Sequence, residues 1–208
     1  GNSILLAAQS LDNSGAVQSA GVLNLQLSGN LNSTTGSKIT AMGMAALQAL
    51  SLTNTGQWAA KNLTLSGGAL NNSGAISGSD GLTATLDEDI TQQSGGSLAS
   101  NGALSLTAAS LDNAGNVQGS DVTLTGTTLT NRSGAQTISA GTLTVTTPTL
   151  INDGLLQGAG ETRVDATTQA VNDGTLLSGG RLKLITPQYS GAGWLQASNL
   201  IMNAGNNN

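Results

Sequence analysis

Apolar and polar residues alternate in short bursts along the whole chain, as in Leu104-Ser-Leu106 and Leu143-Thr-Val145. A period of two marks strands with one buried face. No stretch sustains the i, i+3, i+4 spacing of an amphipathic helix. Gly, Asn, Ser and Thr fill the gaps between bursts and suit turns. The pattern predicts an all-β chain of many short strands.

The bursts recur in a motif: apolar-x-Asn-x-Gly, an aliphatic two residues on, then Leu-x-Leu. Clear copies run from Leu11 to Val17 with Leu23-x-Leu25, and from Leu111 to Val117 with Val122-x-Leu124. Copies start at 11, 31, 52, 70, 90, 111, 129, 150, 170 and 189, and Ile4-Leu-Leu6 reads as the tail of a preceding coil. The steps run 20, 21 and 18 twice before the triplet breaks, a hint of a longer period. Three copies, Leu31 to Gly36, Ile90 to Gly95 and Leu129 to Gly134, carry one extra residue before the Gly. A unit of about 20 residues without a helix cannot bury its apolar face alone, whereas stacked units close a continuous core. Leucine-rich repeats share the period but need L-x-x-L-x-L-x-x-N/C, which does not recur here. The expectation is therefore a right-handed parallel β-helix of about ten coils, a rod roughly 48 Å long at about 4.8 Å per coil.

One polar column stands out: Asn13, Asn54, Asn72, Asn113, Asn131, Asn152 and Asn172, with Gln92 as a substitute. Stacked amides can hydrogen-bond along the rod, as in cross-β assemblies. Asn and the following Gly can also supply left-handed backbone at a corner. The column is thus either an amide ladder or a row of turn residues.

The run L-[DTN]-N-x-G-x-[VIL], then L-x-L, at steps of about 20 residues resembles the repeats of filamentous haemagglutinin. Other two-partner-secretion exoproteins, including contact-dependent growth inhibition effectors, share these repeats. The resemblance extends from Ile4 to about Asn203. It implies export through an outer-membrane transporter, an extracellular or cell-surface location, and a structural shaft that projects adhesive or toxin-delivery regions. A host-cell or bacterial surface receptor, or a glycan, is the further partner it implies. Residues 1–208 are expected to form one β-helical domain, an interior fragment of a longer filament. The apolar stretch Ile4–Ala8 is too short for a signal peptide and has no basic flank.

Composition narrows the chemistry. Charged residues make up 8% of the chain, against roughly 25% in ordinary soluble domains. Cys and His are absent, so thiolate, imidazole and Cys/His zinc chemistry has no residues here. The six Lys and Arg are scattered and there is no Phe, whereas a nucleic-acid groove needs clustered cations and stacking aromatics. No apolar run reaches membrane-spanning length. Nucleic-acid binding, membrane insertion and a cofactor are therefore not expected.

Parallel β-helices do host enzymes, so the fold alone excludes nothing. A glycosidase needs two carboxylates about 5–9.5 Å apart. Asp153 and Asp173 occupy the same place in consecutive copies, with Arg132 one coil earlier; a solvated corner is the plainer reading. Asp87-Glu88-Asp89 lacks the glycine-rich nonapeptide of calcium-binding β-rolls. Asp12 and Asp112 share a column but lie about 24 Å apart. The expectation is a chain that is not an enzyme. Trp58 takes the place of Val17 and Val117 and should face inward. Trp194 takes the place of Ala16 and should face outward near Tyr189, where the two could form a contact patch for a partner or sugar, or cover a diverging coil.

Overall fold

The computed structural model describes residues 2–205, and over these residues the chain is all β. Every strand pairing is parallel, and each strand between the first and last coils pairs with its counterpart in the coil before and the coil after. The chain is a β-solenoid of about 11 turns.

A regular coil has three sides. One full turn is Asp89–Gln92, Ser97–Ser100 and Ala103–Thr107, and the next is Ser110–Asn113, Asn116–Gly119 and Val122–Thr125. We name them the asparagine side, the middle side and the leucine side. Where a corner straightens, two sides merge into one strand, as in Met44–Asn54 and Thr142–Asn152.

The period of two sets what each side buries. On the leucine side Leu104 and Leu106 point inward and stack on Leu82 and Ala84 below and Val122 and Leu124 above. On the asparagine side Leu111 and Asn113 point inward. On the middle side Val117 and Gly119 do. Leu, Ile, Val and Ala from successive coils form one continuous cluster. Burying each Leu, Ile or Val in full is worth about 1.5–3 kcal/mol, and stacking supplies that burial with Trp58 as the one large ring fully inside the cluster among the described residues.

The corners after the asparagine side correct the sequence reading twice. Among the described residues none other than glycine has positive φ, so the asparagines of the column do not adopt the left-handed conformation. At four of them the side chain bends the chain instead: the amide oxygens of Asn13, Asn54, Asn72 and Asn113 accept from the backbone N–H two residues on. The glycine that follows is held for space. A Cβ on Gly74 would lie 2.2 Å from the Gly56 carbonyl oxygen in the coil below. Gly191 in the last such corner has φ +114°, and the three longer corners carry glycines with φ near +80°, Gly36, Gly95 and Gly134, as a type II turn requires. There the glycine bulges outward, and the next residue (Ser37, Gly96 or Ala135) takes the packed place.

Candidate functional site

Three features carry polar or aromatic chemistry: the asparagine column, the corner beside it, and the last coil.

The asparagine column is buried and forms two runs. Asn54 Nδ2 donates to Asn72 Oδ1 at 2.8 Å, and Asn72 Nδ2 donates to Gln92 Oε1 at 2.8 Å. The second run joins Asn113, Asn131, Asn152 and Asn172 at 3.0, 2.8 and 2.7 Å. Each amide nitrogen in these four also donates to a backbone carbonyl of the following coil, as Asn131 does to Leu155 at 3.2 Å. The runs are separated at Gln92, whose longer side chain carries its nitrogen to the Asn116 carbonyl rather than to Asn113. Asn13 stands apart, because its neighbour above is Ser33, too short to reach it. Its amide donates to the Lys38 carbonyl.

Ser33 has another partner. Trp58 is fully buried on the middle side, and its indole N–H donates to Ser33 Oγ at 2.8 Å. The inward position of Trp58 follows from the repeat, whereas its tie to the asparagine column does not, since the two residues lie in different coils and on different sides. A second polar column also escaped the motif. Ser19, Ser139 and Ser178 are buried just before the corner into the leucine side, and each hydroxyl donates to the carbonyl three residues on. The recurring Ser or Gly in that place is its signature in the sequence.

At the neighbouring corner, Asp153 and Asp173 do stack in one column with Arg132. Arg132, however, turns to the adjacent outward column and grips Asp112, with Nε 2.6 Å from Oδ1 and a second contact from Nη2 to Oδ2. This hydrogen-bonded pair, with Asp153 adding to it, raises the guanidinium pKa above its ordinary value. Asp173 accepts from the Ala192 N–H. No group of three or more metal-ligating side chains occurs among the described residues, and Asp89 of the acidic run accepts from the Ser110 hydroxyl at 2.7 Å. A shallow depression of about 440 Å³ crosses the middle-side corner where Ala59, Ser77 and Ser100 leave room, with Lys61 at its edge. That lysine pairs with Asp80 at 3.4 Å.

The last coil separates its two aromatic residues. Trp194 is 73% exposed. Tyr189 instead sits in the inward column above Ala170, packed against the core, with its hydroxyl 3.4 Å from Asn172 Nδ2. It closes the second asparagine run, so the exposed ring is that of Trp194 alone.

No family model matches the chain. Curated proteins do. The chain is 47% identical over 123 residues to the tRNA nuclease CdiA of Escherichia coli (strain NC101), a match covering 59% of this chain and 4% of that protein. Over these residues the chain is a homologue of the CdiA proteins. It is also 47% identical over 119 residues to the 16S rRNA endonuclease CdiA of Enterobacter cloacae, covering 57% of this chain and 4% of the relative. To the deoxyribonuclease CdiA of Dickeya dadantii it is 37% identical over 129 residues, covering 62% and 4%. The chain thus spans about 4% of the length of the curated relatives it matches. No solved structure matches.

CdiA proteins are contact-dependent growth inhibition proteins, so the expected resemblance holds. The expectation that the chain is not an enzyme does not. The CdiA relatives are named as nucleases of tRNA, of 16S rRNA and of DNA, which points to nuclease activity in those proteins. The missing His and Cys and the scattered cations describe only the residues of this chain, which spans a small share of those relatives.

Proposed function

We propose that these coils are part of the rod of a secreted, cell-surface filamentous exoprotein of the CdiA type, a long protein with nuclease activity that it brings to neighbouring bacteria. On this reading residues 1–208 lie within a longer β-helical filament. The parent leaves the cell through an outer-membrane transporter of the two-partner kind. The observation that carries the reading is unbroken parallel register on the leucine side from Ser3 to Ala204. A stack of near-identical coils sets length and stiffness, each coil adding about 4.8 Å.

A second reading rests on Trp194. An indole ring largely free of its own chain is the residue type that anchors interfaces, so the last coil would recognise a receptor or glycan on a target surface. The test is binding of the labelled chain to intact bacterial and epithelial cells, with and without Trp194→Ala. The rod reading expects no saturable binding to either. Saturable binding abolished by the substitution would replace it with the recognition reading.

A further inference from the structure

The leucine side has a distinctive outer surface. Within each Leu-x-Leu-x segment two residues point outward, and through the rod these make two parallel columns. The first holds Asn24, Thr83, Ser105, Thr123 and Thr144; the second holds Gln26, Thr85, Thr107, Thr125 and Thr146. Neither column carries a charge over eight successive levels, from Leu5 and Ala7 to Thr144 and Thr146. Charges appear on the other sides over the same span, as at Asp12, Lys38 and Asp112, and at the corners that bound the leucine side, as at Asp87, Glu88 and Asp121. The hydroxyls are also unspent: among the described residues, none of Thr83, Thr85, Thr123, Thr125, Thr144 and Thr146 uses its side chain in a hydrogen bond within the chain.

The next level brings charge in a particular order. Arg163 stands in the first column and Asp165 in the second, 3.3 Å apart in one strand. A two-fold axis parallel to the rod and running between the columns lays the first column of one copy on the second column of another, level on level. Arg163 then meets Asp165 of the other copy in both directions. Asn24 meets Gln26, amide to amide, and Thr83, Thr123 and Thr144 meet threonines. An axis along the first column would set Arg163 on Arg163 and Lys183 on Lys183. An antiparallel arrangement would leave Arg163 and Asp165 facing the uncharged end.

We propose that this face pairs two copies of the chain side by side and parallel, through the two-fold axis between its outward columns. The matched strip is roughly 50 Å by 13 Å. It buries about 1,300 Å² in total, at the lower end of the ~1,200–2,000 Å² typical of stable specific interfaces. The chain carries a net charge of −5, so two copies repel overall. A face without charge, closed by a reciprocal Arg–Asp pair, is where that repulsion is least.

Sedimentation of the purified chain over a wide concentration range tests the pairing. Cysteine pairs bridged by a short thiol cross-linker test its geometry, because the chain has no cysteine of its own. We expect a monomer–dimer equilibrium and cross-linking of Thr83→Cys chains to Thr85→Cys chains. The double substitution Thr83→Glu with Thr85→Glu sets like charges face to face. It should weaken the dimer at least tenfold with the β circular dichroism unchanged, whereas Thr53→Glu with Thr91→Glu, on the outer asparagine side, should leave it intact. A chain that stays monomeric to millimolar concentration overturns the proposal, including one whose face takes up a neutral glycan instead. So does preferential cross-linking of Leu5→Cys to Thr144→Cys chains, the mark of antiparallel pairing, which lays the first column on itself with its levels reversed.

Discussion

The asparagine column behaves differently in its upper and lower parts. From Asn113 to Asn172 four amides follow one another without interruption, each accepting from below or donating above. In the first coils the same column reads Asn13, Ser33, Asn54, and the amide chain is absent between the first two. The core is no worse closed there. Ser33 leaves space, and the Trp58 indole from the middle side fills it and uses the free hydroxyl. The column therefore requires a continuous set of met donors and acceptors, which either a row of amides or one large ring with an N–H can provide.

This contrast breaks most readily at Asn131. Substitution to Ala deprives Asn152 of its donor and Asn113 of one of its acceptors in a place closed to water, and removes the amide that met the Leu155 carbonyl. Each buried polar atom left unmet costs about 1–3 kcal/mol, so a loss of about 3–4 kcal/mol is expected in denaturant unfolding. Hydrogen exchange should show it concentrated in the flanking coils, because stability in a solenoid is a nearest-neighbour property. Ser33→Ala should cost about 2 kcal/mol, chiefly by orphaning the Trp58 indole N–H. Asn13→Ala, with no amide above it, should cost only about 1 kcal/mol; a value matching that of Asn131 would remove the distinction drawn here. Ser37 works in the other direction. It occupies the packed corner position held elsewhere by Gly or Ala135, and its buried hydroxyl has no partner among the described residues. Ser37→Ala should raise stability by about 1 kcal/mol in the same assay. Least of all, Arg132→Ala should leave the melting midpoint where it is, because its pair with Asp112 is solvent-washed.

Fold class and the inward set were legible because both depend on period. A one-residue slip would turn every Leu outward, so Leu104-x-Leu106 fixes its own orientation and, by repetition, the stacking. The alignment of Asn13, Asn54, Asn72, Asn113, Asn131, Asn152 and Asn172 was equally readable, as a column. What the motif did not carry is anything set by the gap between columns. The Ser33–Trp58 bond joins two sides of the rod. Tyr189 was grouped with Trp194 by proximity in the chain, yet alternation sends them to opposite faces. The corner glycines were attributed to backbone conformation, whereas most are small because a carbonyl of the coil below occupies the space a Cβ would need. The nuclease names of the relatives have no counterpart in these coils that a residue pattern could have revealed.

The two amide runs also have a direction. Every bond in them points the same way, with the nitrogen of one coil reaching for an oxygen of the coil that follows it. A coil that has just docked has therefore satisfied its predecessor and holds out an unmet donor of its own, which only the next coil can meet. Growth at the carboxyl-terminal end is thereby templated, and each addition acts as the tooth of a ratchet that makes retreat costly. Gln92 is the point at which the ratchet resets. A chain that emerges in order from its amino-terminal end would find a prepared seat at every step, one coil at a time.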